Sequence, residues 1–225
     1  MRKSGPPWPL FDLRLRTPRL ELRLPSDDDL LELMRVGREG VVEEGQTFFA
    51  VPWHALPSPA FERQFLQHWW ASRGSWSPNN WNLGLAVVAD GQPIGVQDLM
   101  GRNFAVRKTV MTASWLGRTY QGRGYGTEMR AAALALAFEG LGAELAESGY
   151  FLGNGASAGV SAKLGYRENG EEVVAVGGER AVERRLKVGR DTWKRDIVPV
   201  TIEGLDPCLK LFGVGDLDPT EWSPF

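Results

Sequence analysis

One segment constrains the fold of this chain more than any other, because a strand-like run, a glycine-rich loop and an alanine-rich run follow one another without interruption. Residues 108–117 alternate apolar and β-branched side chains and predict a strand. The loop carries Gly122, Gly124 and Gly126, where the backbone can take conformations barred to other residues. Residues 127–140 have high helix propensity and stop where glycines follow. This strand–loop–helix unit predicts a mixed α/β domain around one sheet.

The rest of the chain supplies further strands and helices for the same domain. Two β-rich runs flank Asp90-Gly91, a dipeptide suited to a primed hairpin turn. Ser26 precedes an apolar run with three acids in its first turn and is the expected N-cap of a helix. Further strands are predicted at residues 19–24, at 144–151 and on both sides of Gly177-Gly178, and further helices at 61–70 and 156–166.

The length of 225 residues permits one compact core, and the sequence has no repeat and no interdomain linker. We divide the chain into an N-terminal extension (1–16), one domain (17–190) and a tail (191–225) that packs on the domain. The last part of the tail is rich in Pro, Gly and Asp, and we expect it to wrap the surface.

The composition excludes several classes of function. A formal net charge of −2 lacks the strongly basic character of a nucleic-acid binder. The single cysteine, Cys208, excludes an internal disulfide, and His54 and His68 stand apart, so no metal is expected. No run reaches membrane-spanning length, and the first residues lack the apolar core of a signal peptide. We therefore expect a cytoplasmic protein, with the oligomeric state open between a monomer and a homodimer or larger homo-oligomer.

The glycine loop is suited to a phosphate group. The N-terminus of a helix offers unpaired N–H groups and a partial positive charge, and Arg123 adds a forked cation. Glu128 opposes this interpretation, because a carboxylate in the first turn repels an anion unless it faces elsewhere. The spacing fits neither the ATP loop nor the dinucleotide fingerprint. A simple turn is the alternative interpretation of such a loop.

Two linked motifs decide between these interpretations. The first is Gln121-x-x-Gly124-x-Gly126, placed between a strand and a helix. The second is N-x-x-S-x-x-V-x-x-K-L-G-[FY], which the chain matches at Asn154, Ser157, Val160, Lys163, Leu164, Gly165 and Tyr166. Together with TPRLELR at residues 17–23, they resemble the GNAT N-acetyltransferase superfamily, especially its RimJ/RimL-like branch.

The resemblance implies a single GNAT-type domain of the α/β (α+β) class, with a mixed, mostly antiparallel sheet flanked by helices. The sheet would be splayed between residues 112–116 and 144–151, where the pantetheine arm of coenzyme A enters. The loop would hold the coenzyme diphosphate. The residues implied in coenzyme binding are Trp115, Leu116, Gln121, Gly122, Arg123, Gly124, Tyr125, Gly126, Thr127, Asn154 and Ser157.

Acyl transfer to an amine needs donors for the developing oxyanion and a route for the thiolate to leave. Many GNAT enzymes place a tyrosine acid at the position of Ser161, so this chain lacks that acid. The resemblance instead assigns Ser157 to the coenzyme sulfur and the Leu116 N–H to the oxyanion. Helix capping is the alternative role for Ser157 and for Asn154. Tyr166 is interpreted as a core residue.

The general base is less determined. Asp98 lies on the central hairpin strand, and Glu147 and Ser148 lie on the strand that faces the cleft. Each carboxylate is alternatively a solvated or structural group. A water chain can also serve, because a protein α-amine has a pKa of only about 8. We assign Glu147 to the catalytic set with Ser157 and Leu116.

These residues predict an acyl-CoA-dependent N-acyltransferase that moves acetyl from acetyl-CoA to a primary amine in a ternary complex. The acceptor is a protein N-terminus, a lysine or a small-molecule amine. Succinyl-CoA is an alternative donor, because Arg102, Arg107 and Arg118 can pair a distal carboxylate, although solvated surface charge also explains them. A catalytically silent acyl-CoA-binding regulator is the alternative from another class. Tryptophans at residues 53–115 pack the core or wall a pocket for an extended apolar ligand arm, and residues 40–80 are expected to shape the acceptor pocket.

Overall fold

The computed structural model describes residues 6–43, 46 and 48–216, and a nine-stranded sheet runs through this part of the chain. Its strands are β1 (Arg14–Arg16), β2 (Glu21–Arg23), β3 (Asn80–Ala89), β4 (Gln92–Arg102), β5 (Thr109–Leu116), β6 (Leu145–Phe151), β7 (Arg167–Val176), β8 (Glu179–Gly189) and β9 (Thr201–Glu203). They lie in the order β7-β8-β6-β5-β4-β3-β2-β1-β9. Only β5 and β6 among these neighbours pair in parallel. The expected mixed, mostly antiparallel sheet is therefore confirmed.

Helices cover both faces of the sheet. The α-helices in the described residues are α1 (Asp27–Glu39), α2 (Ala60–Gly74), α3 (Phe104–Arg107), α4 (Tyr125–Ala135) and α5 (Gly155–Lys163), and α4 continues as a π-helical turn over Leu136–Gly140. Along β3, Leu85 and Val87 pack in the cluster that contains α4, whereas Ala86 and Val88 pack in the cluster of α1 and α2. We call the two sides the α4 face and the α2 face.

Local sequence signals explain where several elements begin and end. The Ser26 hydroxyl accepts a hydrogen bond from the Asp29 N–H at 3.1 Å, and the Asp29 carboxylate accepts one from the Ser26 N–H at 3.0 Å. This capping box starts α1 at the predicted N-cap. Asp90 and Gly91 have φ of +50° and +78°, as a primed two-residue turn requires, so the hairpin is also confirmed.

The parallel pair β5–β6 is short, and this opens the sheet. Pairing begins at Thr109 with Leu145 and ends at Met111 with Glu147. Beyond that point β5 continues to Leu116 without β6, because β6 stays paired with β8 along its full length. The predicted splay is present at the predicted strands.

Two short strands, β1 and β9, were not predicted from the sequence. Thr201–Glu203 forms β9, which pairs with β1 at the edge of the sheet. A 3-10 helix over Asp206–Phe212 then buries Cys208 and Phe212 completely. The chain after residue 198 thus enters the core as well as covering the surface. Residues 1–5 of the expected extension and 217–225 of the expected tail lie outside the described residues, and the domain limits stay predictions.

Two tryptophans join this C-terminal segment to the sheet. The Trp76 indole N–H donates to the Leu211 carbonyl at 2.9 Å, and the Trp81 indole N–H donates to the Phe212 carbonyl at 3.2 Å. Trp81 is only 1% exposed. Both therefore have the core role that was one of their two interpretations, with their polar atoms satisfied.

We predict that Gly101→Ala destabilises the protein. A Cβ at Gly101 would lie 2.4 Å from atoms of the Trp81 ring, which is fully packed and cannot move aside. Overpacking of this kind costs about 1–3 kcal/mol, which thermal or urea unfolding measures. Gly74→Ala is the control, because nothing lies within 4 Å of its Cβ position. Equal stability of the two variants would contradict the prediction.

Candidate active site

The loop before α4 forms an open cradle at a helix N-terminus. Gly122 and Gly124 have φ of +73° and +85°, so both use the left-handed region that favours glycine. Gly124 is the N-cap of α4, and no side chain of the described residues caps this helix. A Cβ at Gly124 would meet only the Arg19 guanidinium, at 3.3 Å. The first turn therefore presents N–H groups to a space that an anion can fill.

Glu128 does not oppose an anion in this cradle, because Arg19, which lies outside the loop, neutralises the charge of its carboxylate. The carboxylate is 6% exposed and accepts hydrogen bonds from the Thr17 hydroxyl at 2.6 Å and the Arg19 N–H at 3.1 Å. The Arg19 Nε also donates to it at 2.7 Å. The predicted repulsion is thus removed by a partner outside the loop.

Arg19 also braces the loop itself, a role that sequence reasoning missed. Its Nη1 donates to the Arg123 carbonyl at 3.0 Å, and its guanidinium lies over the Tyr125 ring at 4.6 Å from the centroid. The signal available in the sequence was its place in the first-strand motif TPRLELR. Arg19 therefore links the first strands to the start of α4.

The predicted coenzyme-contact residues Leu116 and Gln121 meet at the end of β5. The Gln121 Nε2 donates to the carbonyls of Leu116 and Val41, each at 2.9 Å, and so ties the loop to the strand end. The Gly117 N–H donates to the Ile94 carbonyl on β4 at 2.9 Å. Because backbone groups alternate in direction along a strand, the Leu116 N–H points away from β4, into the splay.

The start of α5 lies beside the start of α4. A Cβ at Gly126 would be 3.3 Å from Val160 and 3.9 Å from Leu116, so the strand end and both helices converge here. Asn154 caps α5, and its Oδ1 accepts the Ser157 N–H at 3.1 Å. The Ser157 hydroxyl is therefore not the cap. It lies one turn before Val160, on the helix face turned towards Gly126.

Ser161 and Tyr166 are both buried on the α4 face. The Ser161 side chain is 1% exposed, and its hydroxyl has no hydrogen-bond partner among the described residues. The Tyr166 hydroxyl lies 3.2 Å from the Thr112 Oγ1. Tyr166 is thus part of the core, as predicted, at the point where β5 leaves β6.

Two carboxylates lie on the α2 face of the splayed strands. Asp98 on β4 stands opposite Ala113, and Glu147 on β6 stands opposite Met111. Glu147 is paired with Arg107 at 3.9 Å and is about one-third exposed. The Asp98 carboxylate has no hydrogen bond or ion pair within the described part of the chain. The two candidate bases therefore differ in environment.

The environment of Asp98 favours its protonated form. The space above Gly84, which lacks a side chain, is filled by the Trp69 ring and the Asp98 Oδ1, at 2.6 and 3.1 Å from the glycine's Cβ position. Loss of water around the carboxylate raises the pKa of Asp98 to about 7. A carboxylate with this pKa exchanges a proton near neutral pH.

The remaining candidates occupy other surroundings. Trp115 packs against Trp53 on the α2 face, with ring centroids 5.3 Å apart. Arg102 donates to the carbonyls of Trp81 and Gly101 at 3.3 Å each, and Arg118 pairs with Glu43 at 3.4 Å. Ser148 lies on the α4 face, where its hydroxyl donates to the Thr112 carbonyl at 3.2 Å. The structure thus gathers the loop, the end of β5 and the start of α5, whereas the side chains of Arg102, Arg107 and Arg118 each have other partners.

Residues 6–43, 46 and 48–216 contain no group of three or more His, Cys, Asp or Glu side chains that could hold a metal ion. They also contain no helix that is long and apolar enough to span a membrane.

Comparison with known proteins identifies the family. The sequence matches the acetyltransferase (GNAT) domain family over residues 19–167.

Solved structures share the fold. A GCN5-related N-acetyltransferase from Brucella melitensis is 20% identical, with a TM-score of 0.65 and 86% of each chain covered. A GNAT-family acetyltransferase from Bacillus anthracis is 15% identical, with a TM-score of 0.62, covering 79% of this chain and 99% of its own. RimL, a ribosomal L7/L12 alpha-N-protein acetyltransferase solved with coenzyme A, is 12% identical, with a TM-score of 0.60 and coverage of 78% and 97%. The chain therefore belongs to the acetyltransferase (GNAT) domain family and is a coenzyme-A-dependent N-acyltransferase.

Proposed function

We propose that this enzyme transfers acetyl from acetyl-CoA to a primary amine by direct attack in a ternary complex. One observation carries the proposal: the end of β5, which has no partner on its β6 side, leads into the N-terminus of α4, which no side chain of the described residues caps. Residues 121–127 would hold the diphosphate, with backbone N–H groups and the Arg123 side chain as donors. The amide groups of the pantetheine arm would pair with β5 between Thr112 and Leu116, where β6 no longer does.

The same arrangement gives roles to the other predicted coenzyme residues. Leu116 would offer its N–H to the developing oxyanion, and Trp115 beside it faces the acceptor side. The Ser157 hydroxyl is free of capping and would donate to the sulfur, while Asn154 fixes the helix that carries it. These assignments are proposals, supported by the convergence of the strand end with both helices.

The acceptor would enter on the α2 face, where a base is needed to remove the amine proton. The contacts favour Asp98, because it lacks a counter-charge and its pKa is about 7, whereas Glu147 pairs with Arg107. Tryptophans 53 and 115 on the same face would contact an apolar part of the acceptor. The acceptor class stays open among a protein N-terminus, a lysine and a small-molecule amine.

Acetyl is favoured over succinyl because the arginines that could bind the distal carboxylate of a succinyl group already have other partners. Arg107 pairs with Glu147, Arg118 pairs with Glu43, and Arg102 bonds backbone carbonyls.

The absence of a tyrosine at position 161, where this chain has Ser161, favours one rival function, a silent acyl-CoA-binding regulator. An assay of free thiol release with a panel of amines separates the two, because a regulator binds coenzyme without turnover. The cytoplasmic location and any homo-oligomer stay predictions.

We predict that a carboxylate at Gly124 weakens coenzyme binding through charge. Gly124→Asp and Gly124→Asn have nearly the same volume and the same tolerance for the left-handed φ, so they differ in charge alone. Repulsion of the diphosphate should make acetyl-CoA bind the Asp variant about ten- to a hundredfold more weakly than the Asn variant. Calorimetric titration measures both affinities. Equal values would show that the diphosphate lies elsewhere.

We predict that Ser157→Ala lowers kcat about ten- to a thousandfold and leaves the affinity for acetyl-CoA almost unchanged. The hydroxyl would act on the leaving thiolate, and the helix cap stays intact because Asn154 supplies it. Ser161→Ala is the control, since that buried hydroxyl has no partner in the described structure. Wild-type turnover of the Ser157 variant would remove it from the reaction.

We predict that Asp98→Asn abolishes most acetyl transfer and changes how stability depends on pH. The raised pKa means that the folded protein holds a proton that the unfolded chain releases near pH 4. Asp98 therefore contributes stability that is lost as pH rises from about 4 to 7, by about 1–2 kcal/mol after allowance for partial exposure, and the Asn variant lacks this one contribution.

The measurement is thermal unfolding of both proteins from pH 4 to pH 8, with kcat/KM at each pH. A parallel pH dependence of stability would contradict the environment assigned to Asp98. Glu147→Gln is the competing variant. Loss of transfer there, with Asp98→Asn active, would make Glu147 the base, as first predicted.

A further inference from the structure

A buried arginine joins the two strands where they separate. Arg130, in the second turn of α4, is 4% exposed. Its Nη2 donates to the Ser114 Oγ on β5 at 2.8 Å, and its Nη1 donates to the Ser148 Oγ on β6 at 3.0 Å. Backbone pairing of these strands stops at Met111 with Glu147. The guanidinium therefore bridges β5 and β6 just beyond their last backbone pair.

The charge of Arg130 has no carboxylate partner in the described ranges of the chain. Its hydrogen-bond partners are the neutral hydroxyl groups of Ser114 and Ser148, and its Nε is buried without a hydrogen bond. The titratable group that faces it is Tyr166, which lies between α5 and β7. Burial lowers the pKa of Arg130 and raises that of Tyr166. The guanidinium stays the cation of the pair, because its ordinary pKa is far above neutrality.

A cation in this position is expensive for the fold. Its neighbours on α4, Met129 and Ala131, are buried and apolar. Burying a charge without a counter-charge costs stability, and an apolar side chain of similar length would fill the space more cheaply. An arginine here is therefore better explained by a negative charge that arrives at the splay during the reaction.

We propose that Arg130 stabilises the coenzyme thiolate as it leaves, in place of the tyrosine acid that this chain lacks at Ser161. The inference rests on the proposed function, which puts the thioester beside the Leu116 N–H, two residues along β5 from Ser114. The amine nitrogen forms a bond to the thioester carbon, and the carbon–sulfur bond breaks with its electron pair on sulfur. The amine proton goes to Asp98 or to water. Arg130 does not touch the thiolate. Its positive charge stabilises the negative sulfur electrostatically, and Ser114 and Ser148 hold the guanidinium in place.

The wild-type enzyme provides the first test. The pH titration of the ultraviolet absorbance of the thiolate in bound coenzyme A should give a thiol pKa about one to two units below that of free coenzyme A. An unshifted pKa in bound coenzyme would overturn the inference and leave the proposed function standing. If coenzyme A did not bind at all, both would fall.

Arg130→Met provides the second test. The variant should keep or raise the melting temperature, because an unpaired buried charge is replaced by an apolar side chain. It should keep its affinity for coenzyme A within about threefold, return the thiol pKa towards the free value, and lower kcat about ten- to a hundredfold. Arg130→Lys keeps a charge and should retain part of the shift.

The control is Arg35→Met, which removes an exposed arginine on α1 and should change none of these quantities. A merely structural Arg130 predicts a different pattern, in which melting temperature and coenzyme affinity fall together while the thiol pKa stays as in wild type. That pattern would overturn the proposal.

Discussion

The constraint on which this structure depends is the loss of a strand partner by β5 after Met111. Backbone groups inside a fold need hydrogen-bond partners, so a strand that leaves its neighbour must find others. Thr112 and Ser148 meet part of this need, because each side-chain hydroxyl donates to a backbone carbonyl of the opposite strand. Further along, the groups of β5 face the cleft, and the amide groups of a pantetheine arm are suited to them. The defect in the sheet and the proposed coenzyme site are therefore one feature.

Glu128 shows how charge is arranged around that site. Its carboxylate is buried behind the loop and held by Thr17 and Arg19, so the loop in front keeps a positive potential. Arg19 carries the coupling further, since it also bonds the Arg123 carbonyl and covers Tyr125. The first strand motif and the glycine loop are thus one electrostatic unit, although they lie far apart in the sequence.

What the sequence predicted well is what local chemistry determines. Ser26 and Asp90-Gly91 mark a helix start and a hairpin turn through their own side chain or backbone preference, and both stand where expected. The β9 strand has three residues. It forms a strand because it pairs with β1, which lies near the other end of the sequence. The environment of Asp98 and the salt bridge of Glu128 likewise depend on residues distant in sequence. Such long-range contacts leave no periodic signal in one sequence.

The C-terminal segment has a consequence for how the chain reaches its fold. Trp76 and Trp81 obtain their hydrogen-bond partners from Leu211 and Phe212, near the end of the described residues. During synthesis, the coenzyme loop and both motifs leave the ribosome well before these partners do, and chains are made at about 5–20 residues per second. For several seconds the indole N–H groups of Trp76 and Trp81 therefore lack these partners. The hydrogen bonding of the aromatic core is completed only when the C-terminal segment has emerged.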